Sequence, residues 1–304
     1  MKISYKLPDF LIVGAAKSGT SSLWYYLKQH PQIFMPEIKE PWFFAYANDP
    51  PNFSYPKRLN KIITQFDDYI KLFVKLKSNQ IAGEASPVYL FLYEKSIHNI
   101  KKYIPHWRNL KIIIILRNPI ERAYSNYLHH VKVGVEHLPF EEAIKKEEER
   151  ERNNCGIGFQ YVKFSFYYKM VEAYLENFRY VRVYLFEDLK QNPLKLIKNL
   201  FTFLNVDSNF IPKDIRKYNV SGIPRNKMSS IIISFLAKPN LFKDIIKVVS
   251  PLSSLQKLKS NLEAKFLIKP EMDKQVKKLL IDIYKDDIIK LQYLIQRNLR
   301  HWLM

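Results

Sequence analysis

Hydrophobic positions along the chain follow two periods. Short continuous apolar runs, Phe10-Leu-Ile-Val-Gly14, Gln80 to Gly83, Lys111 to Leu116 and Val181 to Phe186, have the length and β-branched content of strands buried on both faces. Between them apolar residues recur at helical spacing, as at Leu23, Trp24 and Leu27, in a pattern that closes before Pro31. Strands alternating with helices predict a parallel sheet covered on both sides, hence an α/β fold. Glu141 to Arg152 is a dense charge run that reads as a solvated helix face. Beyond Pro224 the pattern turns helical and Lys-rich, and Gln275 to Trp302 carries apolar residues at helix spacing. No Gly/Ser linker or repeat interrupts the chain, so residues 1–304 are expected to form a single domain, its 228–304 portion mainly helical.

Composition narrows the classes. With 304 residues, 47% hydrophobic and 26% charged, the chain can bury a sizeable core and is not a disordered polypeptide. Its single cysteine, Cys155, excludes an internal disulfide, and no Cys/His spacing suits a zinc module. Apolar runs such as Ile112 to Leu116 and Ile231 to Ala237 fall short of the ~20 residues that span a bilayer. The first residues, Met1 to Asp9, carry charge without an apolar core of secretory length, so a cytoplasmic, unanchored protein is expected. The net charge of +20 calls for a polyanionic partner: nucleic acid, an acidic membrane surface, or an anionic cofactor or substrate. The aromatic residues are spread through periodic apolar segments, where core packing is the commoner use, and no nucleic-acid motif is visible.

Glycine is scarce, seven in all, so those at Gly14 and Gly19 carry weight. Gly14-Ala-Ala-Lys17-Ser18-Gly19-Thr20-Ser21 places two glycines five apart between a strand and a helix, the spacing of a phosphate loop. A tight turn there converges backbone N–H groups on an anion at the positive end of the helix. The other reading is a turn that caps the helix through Thr20 or Ser21. In a nucleoside triphosphatase a lysine follows the second glycine; here Thr20 does, and Lys17 lies three residues earlier.

The strand Lys111 to Leu116 ends in Arg117, where such a triphosphatase has the Asp that serves Mg²⁺. A guanidinium turns a cation site into a second anion site. The ligand is then expected to carry two separated anionic groups and to need no metal. Ser125, eight residues on, can donate to the same anion, and a strand-end ion pair with Glu121 is the competing use of Arg117. A P-loop small-molecule kinase would need a lysine at position 20 and a carboxylate near 117, and has neither.

These residues resemble the sulfotransferases that use 3′-phosphoadenosine 5′-phosphosulfate (PAPS), in the branch with the heparan sulfate sulfotransferases and bacterial relatives. Lys17 to Leu23 resembles that family's 5′-phosphosulfate loop, and Leu116-Arg-Asn-Pro-Ile-Glu-Arg-Ala-Tyr-Ser-Asn-Tyr127 its 3′-phosphate strand and helix. Lys39-Glu-Pro-Trp-Phe-Phe44, Gly83-Glu-Ala-Ser-Pro-Val-Tyr89, Phe186-Glu-Asp-Leu189 and the closing Tyr284, Leu291, Leu299 and Trp302 are also similar. Residues 228–270 match nothing in that pattern.

The resemblance implies a P-loop-type parallel β-sheet flanked by helices, with a helical C-terminal portion. It implies metal-independent, in-line transfer of a sulfuryl group from PAPS to a hydroxyl or amine, with 3′-phosphoadenosine 5′-phosphate (PAP) leaving. Arg117 and Ser125 would hold the 3′-phosphate; Ser18, Gly19, Thr20 and Ser21 the 5′-phosphosulfate; and Lys17 the charge growing on the bridging oxygen. Glu40 would be the general base, with Glu37 its nearest rival and an ion pair to Lys39 its bland alternative. Lys39, Trp42 and Glu84 would face the acceptor, a saccharide, glycolipid or other hydroxylated compound, and the basic surface leaves room for peripheral membrane contact. Tyr218 to Arg225 resembles the loop closing over the cofactor, with Arg225 as anion ligand. Two departures stand out: Ala85 replaces a lysine found in several heparan sulfate enzymes, and Trp42 replaces a common histidine. His129 and His130 read as ordinary helix-surface residues, with the histidine base of the cytosolic small-molecule sulfotransferases as the lesser option, and a non-catalytic, polyanion-binding relative remains the alternative to an enzyme.

Overall fold

The computed structural model describes residues 6–55, 62–215, 222–225 and 266–304. The opening residues Met1 to Tyr5, the apolar run 231–237, residues 218–221 of the late loop and the Lys-rich stretch up to 265 lie outside the described residues.

Five parallel strands form the central sheet: β1 (Phe10–Gly14), β2 (Ile33–Phe34), β3 (Ile81–Ala85), β4 (Lys111–Leu116) and β5 (Tyr180–Leu185), in the order β2-β3-β1-β4-β5. Phe10 is level with Gly83 on one side and Lys111 on the other, and Lys111 to Leu116 run in register with Tyr180 to Leu185. The strands at the centre are buried on both faces, which is why they read as continuous apolar runs. Their alternate residues serve two cores. Leu11, Val13, Ile112, Ile114 and Leu116 pack under the helices Val88–Phe91 (α4), Tyr93–Tyr103 (α5), Pro119–Val133 (α6), Tyr167–Asn177 (α9) and the C-terminal helix Lys274–Leu294. Phe10, Ile12, Ile113 and Ile115 pack under Thr20–Leu27 (α1) and Pro193–Leu204 (α11).

The strands foreseen from sequence appear within one or two residues of their expected bounds, and the C-terminal helix forms over Lys274–Leu294, short of the expected Trp302, which falls in a separate 3-10 turn at Arg300–Leu303. The two-residue edge strand β2 was not foreseen; two residues carry no periodicity. The late residues Ile223–Pro224 (β6) pair antiparallel with Leu267–Ile268 (β7). The charge run divides into two short helices, Phe140–Lys145 (α7) and Glu147–Arg152 (α8), and is more than a solvated face. Glu147 is buried and accepts the N–H groups of Val162 and Lys163, both at 2.9 Å, and Arg150 forks onto Glu136.

The chain visits β2 and β3 on one side of β1, then crosses to β4 and β5 on the other. That reversal opens a crevice beyond the C-terminal ends of β1 and β4, where open parallel sheets hold ligands.

Candidate active site

The crevice is a cleft of about 700 Å³. Its floor is the loop after β1. Ala15 N donates to Ile115 O of β4 at 2.7 Å, tying the loop to the neighbouring strand, and a Cβ on Gly14 would collide with Leu90. Gly19 caps α1 in the left-handed region (φ 99°), where a Cβ would also meet Leu189 at 2.7 Å. No side chain caps the start of α1 and no acidic residue occupies its first turn, so its positive end faces the cleft through Gly19, Thr20, Ser21 and Ser22. Ser18 is fully buried beneath the loop and does not line the cleft.

Lys17 also adopts a left-handed conformation (φ 66°), a strained state for a non-glycine residue, and its side chain lines the cleft. Burial and the positive neighbours Lys132, Arg117 and Arg122 outweigh Glu40 and lower its amine to about 7. Arg117, at the end of β4, is 7% exposed. Its Nη1 donates to Lys17 O at 3.2 Å, its Nη2 pairs with Glu121 at 2.6 Å, and its guanidinium lies 4.8 Å from the Phe186 ring centroid. The ion pair weighed against a ligand role thus exists, yet Arg117 still lines the cleft and its buried Nε has no partner among the described residues. Lys132, Lys190, Lys269 and the buried Arg122 line it too, against the carboxylates of Glu40 and Glu121. Burial lowers the Lys269 amine, with Arg117 and Lys190 adding to the effect against Glu121. The site has concentrated positive charge that an anion would satisfy.

The opposite wall comes from the segment before Phe43–Tyr46 (α2). Glu40 N donates to Ala85 O at 3.1 Å and Trp42 N to Ser86 Oγ at 3.2 Å, which pins both residues to the end of β3. Glu40 (φ 59°) and Trp42 (φ 58°) flank Pro41 in left-handed conformations and both line the cleft. Glu40 is half-buried and ion-paired with Lys39, while Glu37 is occupied by Lys28 at 2.9 Å. The Trp42 indole stacks on Tyr46, and its buried Nε1 has no partner among the described residues.

Lys17, Gly19, Thr20, Ser21, Arg117, Glu40 and Trp42 are therefore gathered on one cleft. Other candidates stand elsewhere. Ser125 is fully buried within α6 and Lys39 stands beside Glu40, neither among the lining residues. Arg225 is exposed on the β6–β7 ribbon and its backbone N–H bonds to Phe266 O at 3.0 Å; Gly222 and Lys269 of that ribbon reach the cleft instead. Glu84, expected at the acceptor, lies in the core, 1% exposed, where Tyr89 and Tyr69 donate to its Oε2 at 2.8 and 3.4 Å. Burial, against the hydrogen bonds of Ser86, Tyr89 and Tyr69, raises its carboxyl to about 7, with Glu40 adding to the rise. Sequence reasoning missed Arg122, Lys132, Lys190 and Lys269. Arg122 and Lys132 follow Arg117 on α6 at positions that a helical projection would have shown. Lys190 and Lys269 arrive through tertiary structure and left no local signal.

Residues 7–238 match the model of the sulfotransferase domain. The chain belongs to the sulfotransferase family. A sulfotransferase from Alicyclobacillus acidocaldarius has a solved structure that is 30% identical, with a TM-score of 0.75, covering 98% of this chain and 99% of that one. The membrane-associated sulfotransferase kil1 of Dictyostelium discoideum is 31% identical over 177 residues, 49% of this chain and 34% of its own length. The human heparan sulfate glucosamine 3-O-sulfotransferase 3B1 is 25% identical over 224 residues, 73% of this chain and 52% of its own. This sulfotransferase thus spans about a third to a half of the length of those two curated relatives. Among the described residues no helix is long and apolar enough to cross a membrane.

Proposed function

We propose that this sulfotransferase moves a sulfuryl group from PAPS to a hydroxyl or amine of a saccharide or glycolipid acceptor, without a metal. The observation that carries the reading is the placing of Lys17 and Arg117 on one cleft at the ends of adjacent parallel strands, joined by a 3.2 Å hydrogen bond. A donor with phosphate groups at both ends of a nucleoside suits two such anion sites. The Arg117 Nε, which has no partner among the described residues, and the depressed Lys17 amine are features of a site that binds negative charge.

PAPS supplies the activated sulfuryl group. The N–H groups at the start of α1, with Thr20 and Ser21, hold its 5′ end, and Arg117 with Lys190 and Lys269 its 3′-phosphate. Ser18 and Ser125 support these two sites from the buried side, while Arg225, expected from the sequence at the 3′-phosphate, stands on the exposed ribbon outside the cleft lining. Lys17 Nζ neutralises charge on the bridging oxygen. Glu40 takes the proton from the attacking hydroxyl, with Lys39 beside it and the buried Glu84 behind it. Trp42 offers a flat face to a sugar ring. The heparan sulfate glucosamine in the name of the human 3-O-sulfotransferase relative favours a saccharide, and the net charge of +20 suits an anionic one.

Isothermal titration tests the cofactor assignment. PAP is expected to bind at micromolar concentration, with AMP and ATP much weaker and EDTA without effect. A preference for ATP with Mg²⁺ would favour the kinase and overturn the reading. Labelled PAPS offered with a panel of oligosaccharides and simple alcohols then reports which acceptor gains mass.

A further inference from the structure

His130 is more than a helix-surface residue. It lines the same cleft as Lys17, Glu40 and Trp42, half-buried, with its ring edge-on to Phe159 at a centroid distance of 4.8 Å. Its Nδ1 lies 3.0 Å from the Tyr161 hydroxyl, which donates to Glu136 Oε2 at 2.8 Å. Glu136, 3% exposed, takes both terminal nitrogens of Arg150 at 2.5 and 2.9 Å, and the N–H groups of His137 and Leu138 at 3.0 and 3.1 Å. Burial pushes the Glu136 carboxyl up, but the hydrogen bonds from Arg150, Leu138 and Tyr161 outweigh it and hold the group below its ordinary value.

Glu136 is therefore ionised and only accepts hydrogen bonds. Tyr161 has one proton, and it goes to that carboxylate. The Tyr161 oxygen can then only accept from the imidazole, so Nδ1 carries the ring proton and Nε2 is bare. The groups facing the ring are Lys17 from the phosphate loop, Arg122 on its own helix, Arg150 of α8 and the Glu136 carboxylate. Burial, then Lys17, bring the imidazole down to about 4, so it stays neutral near pH 7. Gly158, also on the cleft wall, leaves space beside the bare nitrogen: a Cβ there would stand 2.9 Å from Nε2.

We propose that His130 Nε2 is an acceptor-recognition site, a hydrogen-bond acceptor fixed by the Tyr161–Glu136–Arg150 chain, which selects substrates bearing a second O–H or N–H beside the reacting hydroxyl. The proposal rests on the sulfotransferase reading of the cleft and adds a demand on the substrate: a vicinal polyol or amino alcohol, as in a sugar ring, over a lone alcohol. Glu40 keeps the reacting proton, and His130 holds the neighbouring group.

Nitrogen-15 NMR of the histidine rings tests this with glucosamine as the probe and cyclohexanol as its single-hydroxyl counterpart. In the free protein at pH 7, His130 is expected as the Nδ1–H tautomer, and Tyr161→Phe is expected to release it to a mixture. With PAP bound, glucosamine is expected to shift the Nε2 resonance and cyclohexanol to leave it in place. His130→Phe should weaken glucosamine binding about tenfold while His130→Gln, which retains an acceptor oxygen, restores most of it. An Nε2–H tautomer in the free protein, or an Nε2 resonance unmoved by glucosamine, overturns the proposal. Failure of the cofactor reading shows separately, as absence of PAP binding by calorimetry, and the tautomer of the free protein is read either way.

Discussion

Lys17 combines a strained backbone, a cluster of like charges and an amine lowered to about 7. The proton balance on ligand binding follows with a definite sign. In the free protein the amine loses its proton as pH rises through about 7. A bound anion favours the charged form, so binding takes up a proton above that pH. PAP affinity is therefore expected to be greatest below pH 7 and to fall between pH 7 and 9, where phosphates with a second pKa near ~6 are already ionised. Calorimetry in buffers of different ionisation enthalpy reads the proton uptake directly. Lys17→Met should abolish both the uptake and the slope, and lower turnover by roughly 10²- to 10³-fold. A slope that survives the substitution would remove Lys17 from the anion site. Its position beside the loop was legible in sequence because the spacing of Gly14 and Gly19 fixes the turn. The depressed amine was not, since it depends first on burial and then on Lys132 and Arg122, which α6 brings across from more than 100 residues away.

Strands β1 and β4 were legible because burial on both faces demands unbroken apolar runs, whereas β5, at the sheet edge, is only partly buried over Tyr180 to Val183 and exposes Arg182. What a strand carries at its end was legible only in part. Arg117 reaches the cleft from the end of β4, whereas Glu84 on β3 points into the aromatic core between Tyr69 and Tyr89. A motif gives the residue; the pleat decides its side. The consequence for β3 is a pH-dependent stability. The Glu84 carboxyl rises from an ordinary 4.5 to about 7 on folding, so the folded chain retains a proton that the unfolded chain releases. Stability is thus expected to fall as pH rises from 4.5 to 7, with the penalty complete above about 7 and at most about 3 kcal/mol. Glu84→Gln removes the ionisation. Its advantage over wild type in urea unfolding should be near zero at pH 4.5 and grow toward pH 7.5. Parallel stability curves for the two proteins would show that the buried carboxyl finds its compensation elsewhere.

Two flanks of the cleft, the helix after β5 and the corner at Arg117, are joined by the segment that ends in Trp302. Trp302 is fully buried; its Nε1 donates to Glu187 Oε1 at 3.0 Å, and its carbonyl accepts from Asn118 Nδ2 at 3.3 Å. Glu187 belongs to the helix Phe186–Gln191 (α10), which brings Phe186, Leu189 and Lys190 to the cleft. Asn118 follows Arg117 and caps α6 through the N–H groups of Ile120 and Glu121. Arg297 adds a two-pronged ion pair to Asp188, at 2.8 and 3.2 Å. The C-terminal residues thus hold α10 and the Arg117 corner at a fixed separation, although they do not line the cleft themselves. Trp302→Ala is expected to cost about 3–5 kcal/mol in chemical unfolding, as for other large buried side chains. Trp302→Phe keeps most of the packing and loses the indole hydrogen bond, at about 1 kcal/mol. If the clamp sets the site, Trp302→Ala should weaken PAP severalfold at a temperature where the variant is still folded, with AMP less affected because the loss falls on the Arg117 and Lys190 side. Calorimetry with the two nucleotides separates this from a general loosening, which would weaken both alike.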